Sequence, residues 1–329
     1  MDADGYHIVE QIGDGMNSNK VYKAECKDGS GCVAIKQIDL SQQSKTTKDK
    51  ISREVQGMSV VSESEFVVNF LCSFVFENTL WIVMDLNEGS LCDVLKWKYP
   101  LGINDENVIC SILHQTLRGV AFLHERNIIH RDIKAGNILF NREGKIRIAD
   151  FGVSAILSTN DEKRTTMAGT WHWMAPEVFY PEDCGYDFKA DVWSVGITCI
   201  ELAYGTAPYS KARPNQVIVY ITKNPPPNLD NHCVPDATAK KFSTPFKDLV
   251  EKCLQMDPDK RPTAAKLLNN KFFKHTLKSN SYDGLKGALL EGLPPIGERF
   301  RSQQQSRKEK LKIKLAAEDV VDKKPRKKS

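Results

Sequence analysis

At 329 residues, 41% hydrophobic and 27% charged, the chain has the composition of a globular protein with a core large enough for two lobes. No apolar run approaches the ~20 residues of a membrane span, the N-terminal MDADGYHIVEQIG lacks the basic-then-apolar order of a secretory signal, and the nine scattered cysteines form no C-x-x-C pair, which argues against a disulfide framework or zinc site and for a reducing, cytoplasmic setting. The net charge of +4 is uneven: residues 301–329 carry eleven Lys/Arg against four Asp/Glu, a net of +7, and residues 1–300 carry −3.

The first part of the chain reads as strands. YHIVEQI, VYKAEC and CVAIKQIDL are short, β-branched and bounded by Gly, Asp and Asn. Between the first two lies IGDGMNSNKVYKA, which begins like a phosphate-cradling glycine loop. Gly13 and Gly15 are in place, a third glycine is missing, Ser18 or Asn19 stands there instead, and Val21 arrives one residue late. Ser and Asn are small, and Asn tolerates left-handed backbone, so a looser cover over a ligand is expected. A polar stretch, 41–50, leads into ISREVQGMSVV, with helical spacing at Ile51, Val55 and Met58. FVVNFLCSFVFE and TLWIVMDL read as two further strands, the second ending at a turn, NEGS.

Beyond residue 90 the apolar period lengthens. NVICSILHQTLRGVAFLHE and VWSVGITCIELAYG read as buried helices, the latter stopped by Gly205 and Pro208; FKDLVEKCLQ and AAKLLNNKFF read as shorter ones. PPP at 225–227 marks a loop. After Phe273 the pattern weakens, and the final Gln-, Lys- and Arg-rich stretch is expected to be part helix and part disorder. This basic tail suits an acidic partner or a membrane surface, or a plain solvated extension. It has no interleaved aromatics, so no dedicated nucleic-acid site is expected.

Four constellations occur in one order: VAIK at 33–36, HRDIKAGN at 130–137, DFG at 150–152 and MAPE at 174–177, each in a fitting strand or helix context. Together they resemble the protein-kinase signature set, over about residues 6–273. The resemblance implies an α+β, two-lobed fold. A sheet-rich N-lobe would span about 6–86 and a helical C-lobe about 87–273, with residues 1–273 forming the kinase domain and 274–329 an extension.

The resemblance also implies roles. Phosphoryl transfer needs positioning and positive charge more than covalent help. Lys36 would grip the α- and β-phosphates of ATP, with Glu54 as its counter-charge. Asp150 and Asn137 would hold Mg2+, a hard cation that prefers oxygen. Asp132 would orient the substrate hydroxyl and accept its proton, and Lys134, the serine/threonine-type residue of this loop, would neutralise the γ-phosphate. Gly13, Gly15, Val21 and Ala34 would enclose the nucleotide, Met84 would stand behind the adenine, and Asp85 to Asn87 would be the hinge. Glu177 and Arg261 would form a buried ion pair, and Asp191 would brace the catalytic loop.

DFGVSA, KRTTMAGT (163–170), GYDFKADVWSVGITCIELAYGTAPY (185–209) and DPDKRPTAAKLL (257–268) resemble the sterile-20 group and its Fray-like branch, especially plant-type members, and EGLPPIGERFR (291–301) sits where that branch carries a post-kinase motif. That implies protein substrates, an upstream activating kinase, and activation by phosphorylation at Thr166, with Thr165 as neighbour and Arg131 pairing the phosphate. Thr170 would contact the catalytic loop. GTWHWMAPE departs from the family: Trp171 and His172 replace a proline and a small residue in the pocket for the residue after the target hydroxyl. The competing class is a pseudokinase scaffold that binds and activates a partner. The altered loop and Trp171 favour it; Lys36, Glu54, Asp132, Lys134, Asn137 and Asp150 oppose it, because a scaffold needs none of them.

Overall fold

The computed structural model describes residues 3–14, 19–41, 64–150, 171–179, 187–231, 241–276, 282 and 284–322. Five strands, β1 (Tyr6–Asp14), β2 (Lys20–Cys26), β3 (Cys32–Asp39), β4 (Phe70–Phe76) and β5 (Thr79–Asp85), form an antiparallel sheet in the order β1-β2-β3-β5-β4. Strand alternation sorts β3 into two faces. Val33 and Ile35 pack with Ala24, Trp81 and Val83 on one side. Ala34, Lys36 and Ile38 share the other, where Ile38 packs with Leu80 and Ile82. Val21 pairs with both Gly13 and Lys36, and Ala34 with Met84, so the expected nucleotide residues of four strands meet on one face.

The second lobe is helical. α1 (Leu91–Trp97), α2 (Glu106–Glu125), α3 (Lys189–Tyr204), α4 (Pro214–Lys223), α5 (Thr244–Cys253), α6 (Ala264–Leu267), α7 (Lys271–Thr276), α8 (Leu285–Leu290) and α9 (Ile296–Asp322) follow in chain order. A small sheet of β6 (Gly89–Ser90), β7 (Ile138–Phe140) and β8 (Ile146–Ile148) lies at the cleft. α3 is the centre of the lobe: every residue from Ala190 to Tyr204 is buried, and Gly205 caps it in the left-handed region at φ +81°. The two lobes are stitched where Ile148 donates to Phe66 O (2.8 Å) and accepts from Val68 N–H (2.9 Å).

The expected buried ion pair forms. Arg261, with a side chain wholly out of solvent, donates from Nη1 and Nη2 to the two oxygens of Glu177 at 2.6 and 2.8 Å, and from Nε to Gln255 O at 2.7 Å. Removing one partner would leave a buried charge unpaired, which costs ~3–5 kcal/mol.

Several elements differ from the sequence expectation. NEGS is a two-residue strand that runs into α1, whose N-cap Ser90 and Asp93 form a capping box. AAKLLNNKFF is two helices, because the Asn270 side chain accepts Phe272 N–H and restarts the chain. Beyond Phe273, Leu285 and Leu289 of α8 are buried in the same core as α2 and α3, and α9 is a 27-residue helix. The seven described cysteines are all free, and burial pushes the Cys253 thiol up to about 12, as suits an inert core residue. No described helix is long and apolar enough to cross a membrane.

Candidate active site

The catalytic loop is built on Asp191. This carboxylate has no exposed surface and accepts three hydrogen bonds: His130 N–H and Arg131 N–H at 2.8 Å each, and His124 Nε2–H at 2.9 Å. The bonds hold Arg131 at φ +69°, a sparsely populated conformation for a residue with a side chain. His130 extends the brace. Its Nδ1 accepts Asp132 N–H (3.2 Å), so Nε2 carries the proton and donates to Ala149 O (2.8 Å), tying the loop to the residue before Asp150.

Asp132 is buried between two donors. Lys134 Nζ reaches both its oxygens at 2.9 and 2.7 Å, and Asn137 Nδ2 reaches Oδ2 at 2.7 Å. Across the cleft, Lys36 Nζ stands 2.5 Å from Asp150 Oδ1. Asp150 sits at φ +62° and keeps 38% of its side-chain surface toward the cleft. Burial works to raise its pKa, but the Lys36 ammonium with its hydrogen bond, helped by His130 and Lys134, outweighs this and holds it below the ordinary carboxylate value.

Lys36, Asn137 and Asp150 line a cavity of about 420 Å³. Gly13, Val21 and Ala34 line it from the sheet, Leu139 from β7, and Met84, Asp85 and Asn87 at the hinge. Asp85 has its carboxylate taken by Arg147 Nη1 at 2.7 Å. Asn87, 5% exposed, donates to Asp85 O (3.1 Å), and its Oδ1 is buried with no partner among the described residues. An added Cβ at Gly13 would meet only Val21, at an ordinary 3.5 Å, so the described fold does not itself demand glycine there.

Of the predicted site residues, Lys36, Asp132, Lys134, Asn137 and Asp150 are thus brought together. Gly15, Ser18, Glu54, Thr165, Thr166 and Thr170 lie outside the described residues. Arg131 is exposed on the catalytic loop. Trp171 stacks on Phe179 (centroids 6.0 Å apart, planes at 5°), and His172 Nε2 donates to Tyr209 O at 3.1 Å. Among the described residues no group of three His, Cys, Asp or Glu could cage a metal. Asp150 and Asn137 are a pair suited to a cation that takes its remaining ligands from phosphate and water, as magnesium does.

Two contributions escaped the sequence reading. Glu201, from α3, lies behind the loop and accepts Ala135 N–H (3.0 Å) and Trp173 Nε1–H (2.9 Å) on one oxygen. Burial pushes its pKa up to about 7, against the lowering pull of those two bonds and of Lys134 and Lys96. On the open side, Ile296, Arg299, Phe300, Gln303 and Arg307 of α9 line the cavity. EGLPPIGERFR marks the start of that helix, but nothing in its pattern points to the cleft.

Residues 6–273 match the protein kinase domain family, and the chain belongs to it. Within that family it is similar to sterile-20-group and Fray-like kinases. It is 42% identical over 301 residues to the serine/threonine-protein kinase fray2 of Dictyostelium discoideum, covering 91% of this chain and 28% of that protein. It is 42% identical over 306 residues to germinal center kinase 3 of Caenorhabditis elegans, covering 88% and 50%. The serine/threonine-protein kinase hippo of Drosophila melanogaster is 40% identical over 300 residues, covering 91% and 42%. The chain therefore spans between about a quarter and half the length of these relatives.

Proposed function

We propose that this chain transfers the γ-phosphoryl group of ATP to serine and threonine hydroxyls of proteins, with residues 1–273 as the catalytic domain and 274–329 as its extension. One observation carries the reading: Lys36, Asn137 and Asp150, from three distant stretches of sequence, line a single cavity together with the hinge residues Met84, Asp85 and Asn87, and Asn137 is bonded to the Asp132 that Lys134 also holds. That arrangement fits a nucleotide triphosphate. An ammonium and a metal-binding carboxylate would face the phosphates, and the hinge residues would face the base.

Magnesium, when bound, supplies charge neutralisation across the phosphate oxygens. The chain's own groups do the rest. Lys36 holds the α- and β-phosphates, and Asp150 with Asn137 holds the metal. Asp132 orients the substrate hydroxyl and takes its proton. Lys134, already against Asp132, balances charge on the transferred group. Glu54 serves as the second partner of Lys36, and Gly15 as part of the phosphate cover.

Regulation belongs to the same reading. A phosphate on Thr166, or on its neighbour Thr165, would add about two negative charges, and Arg131 is the proposed cation to pair with them. An upstream kinase would supply that phosphate. The test is incorporation of labelled phosphate from magnesium–ATP into a generic basic protein, next to an Asp150→Asn control. The expected result is phosphoserine and phosphothreonine from the wild type and a loss on the order of 10²-fold or more in the control. Equal signal from both would remove the enzyme reading.

A further inference from the structure

We propose that α9 is the fourth wall of the nucleotide site, with Gln303 and Arg307 as nucleotide-binding residues that no kinase motif contains. The proposal rests on the cavity being an ATP site. Along α9, the cavity-lining residues Ile296, Phe300, Gln303 and Arg307 recur every three or four positions, which is one face of a helix.

That face is held close to the body at both ends of the cavity. At the hinge, Arg299 is only 2% exposed; its Nη2 donates to Glu88 O and its Nη1 to Pro294 O at 3.0 Å. The guanidinium lies over the backbone of Gly89, where a Cβ would come 2.5 Å from Nη2. On the sheet side, Gly297 meets β1 so closely that a Cβ there would overlap the Glu10 carboxylate. Glycine at each of these two contacts leaves room for the side chain opposite, the Arg299 guanidinium in one and the Glu10 carboxylate in the other. Arg301 then pairs with Glu10 (2.7 Å) and Arg307 with Asp14 (3.2 Å), the last residue of β1 before the glycine loop.

The chemistry along this face follows the length of a nucleotide. Gln303 Nε2 sits 3.1 Å from Asp93 Oδ1 at the front of the hinge, and an amide beside a carboxylate suits the two hydroxyls of a ribose. Arg307, paired with Asp14, lines the same cavity as Lys36 and Asp150, and a planar guanidinium is a preferred phosphate donor. Phe300 supplies apolar wall between them.

The experiment is calorimetric titration of the full chain, wild type, Gln303→Ala, Arg307→Ala and Arg301→Ala, with magnesium–ATP and separately with adenosine. Thermal melts check that each variant is folded. Arg307→Ala is expected to weaken ATP on the order of tenfold (~1.4 kcal/mol) and leave adenosine unchanged; Gln303→Ala is expected to weaken both ligands. Arg301, which anchors the helix without lining the cavity, is expected to change either by less than about twofold. Folded Gln303 and Arg307 variants that bind ATP as the wild type does, or more tightly, would overturn the proposal while leaving the kinase reading intact. A wild-type chain that binds neither ligand would overturn both.

Discussion

The catalytic loop and α9 border the same cavity and are held by opposite means. The loop hangs on buried groups: Asp191 with no exposed surface, His130 between Asp132 N–H and Ala149 O, and Glu201 behind Ala135. α9 is docked by one buried guanidinium, Arg299, and beyond it by ion pairs whose arginines are 67% and 66% exposed. A buried donor has no water to turn to, so losing its acceptor costs the full desolvation of the group. An exposed pair exchanges with water and is screened by salt. The loop is therefore the fixed wall of the cleft and α9 the adjustable one.

The largest expected effect tests the fixed wall. Asp191→Asn keeps the shape of the side chain but turns one acceptor into a donor facing another N–H. His130 or Arg131 then loses its bond, and nothing holds Arg131 at φ +69°. A displacement of about 1 Å at the reacting group can cost 10²-fold in rate, and an unsatisfied buried donor costs ~1–3 kcal/mol. Single-turnover kinetics and urea unfolding should show both losses, with ATP affinity changed little. A variant with a normal rate would mean the loop does not depend on its buried brace.

The same difference decides what could be read from the sequence. The loop was legible because the proposed phosphoryl transfer constrains residue types: an aspartate, a lysine two residues on, an asparagine five on, and a second aspartate after a strand. The packing of α2 and α3 was legible because apolar residues repeat along them. α9 was not legible, since residues 296–307 present few apolar side chains and dock through a guanidinium on a backbone carbonyl, a contact with no periodicity. α1 was missed for its brevity, although Ser90 followed three residues later by Asp93 is a usable start signal. The missing third glycine of the first loop reads as a departure from pattern, and a pattern says nothing of the α9 residue that pairs with Asp14.

A second test sharpens the contrast through pH. Glu201 has an ordinary carboxyl pKa of 4.5 in the unfolded chain and about 7 in the folded one, because burial disfavours its charge. A group raised on folding contributes stability that is fully present below pH 4.5 and is lost as pH rises through about 7. The full swing is on the order of 3 kcal/mol. Both of its hydrogen bonds enter the same oxygen, so the amide of Glu201→Gln can accept both while having nothing to titrate. Urea unfolding from pH 4.5 to 8 should therefore show the wild type losing stability relative to Glu201→Gln as pH rises, at any ionic strength. A difference between the two that stays flat with pH would place Glu201 outside the brace.

The smallest effect belongs to the adjustable wall. Arg301 and Glu10 join α9 to β1 at 2.7 Å, but with the arginine mostly in water the pair should contribute only ~0.2–1 kcal/mol, and less at high salt because the Debye length falls from ~10 Å at 0.1 M to ~3 Å at 1 M. A double-mutant cycle with Arg301→Ala and Glu10→Ala, read by urea unfolding at low and high salt, isolates the pair from what each side chain does alone. Glu10 also lies against Gly297, so its single variant relieves that close approach as well as breaking the pair, and only the coupling term is informative. Coupling that fades with salt is what an adjustable wall requires. Coupling of several kcal/mol that salt does not touch would make α9 as rigid as the loop, and the distinction between the two walls would fall.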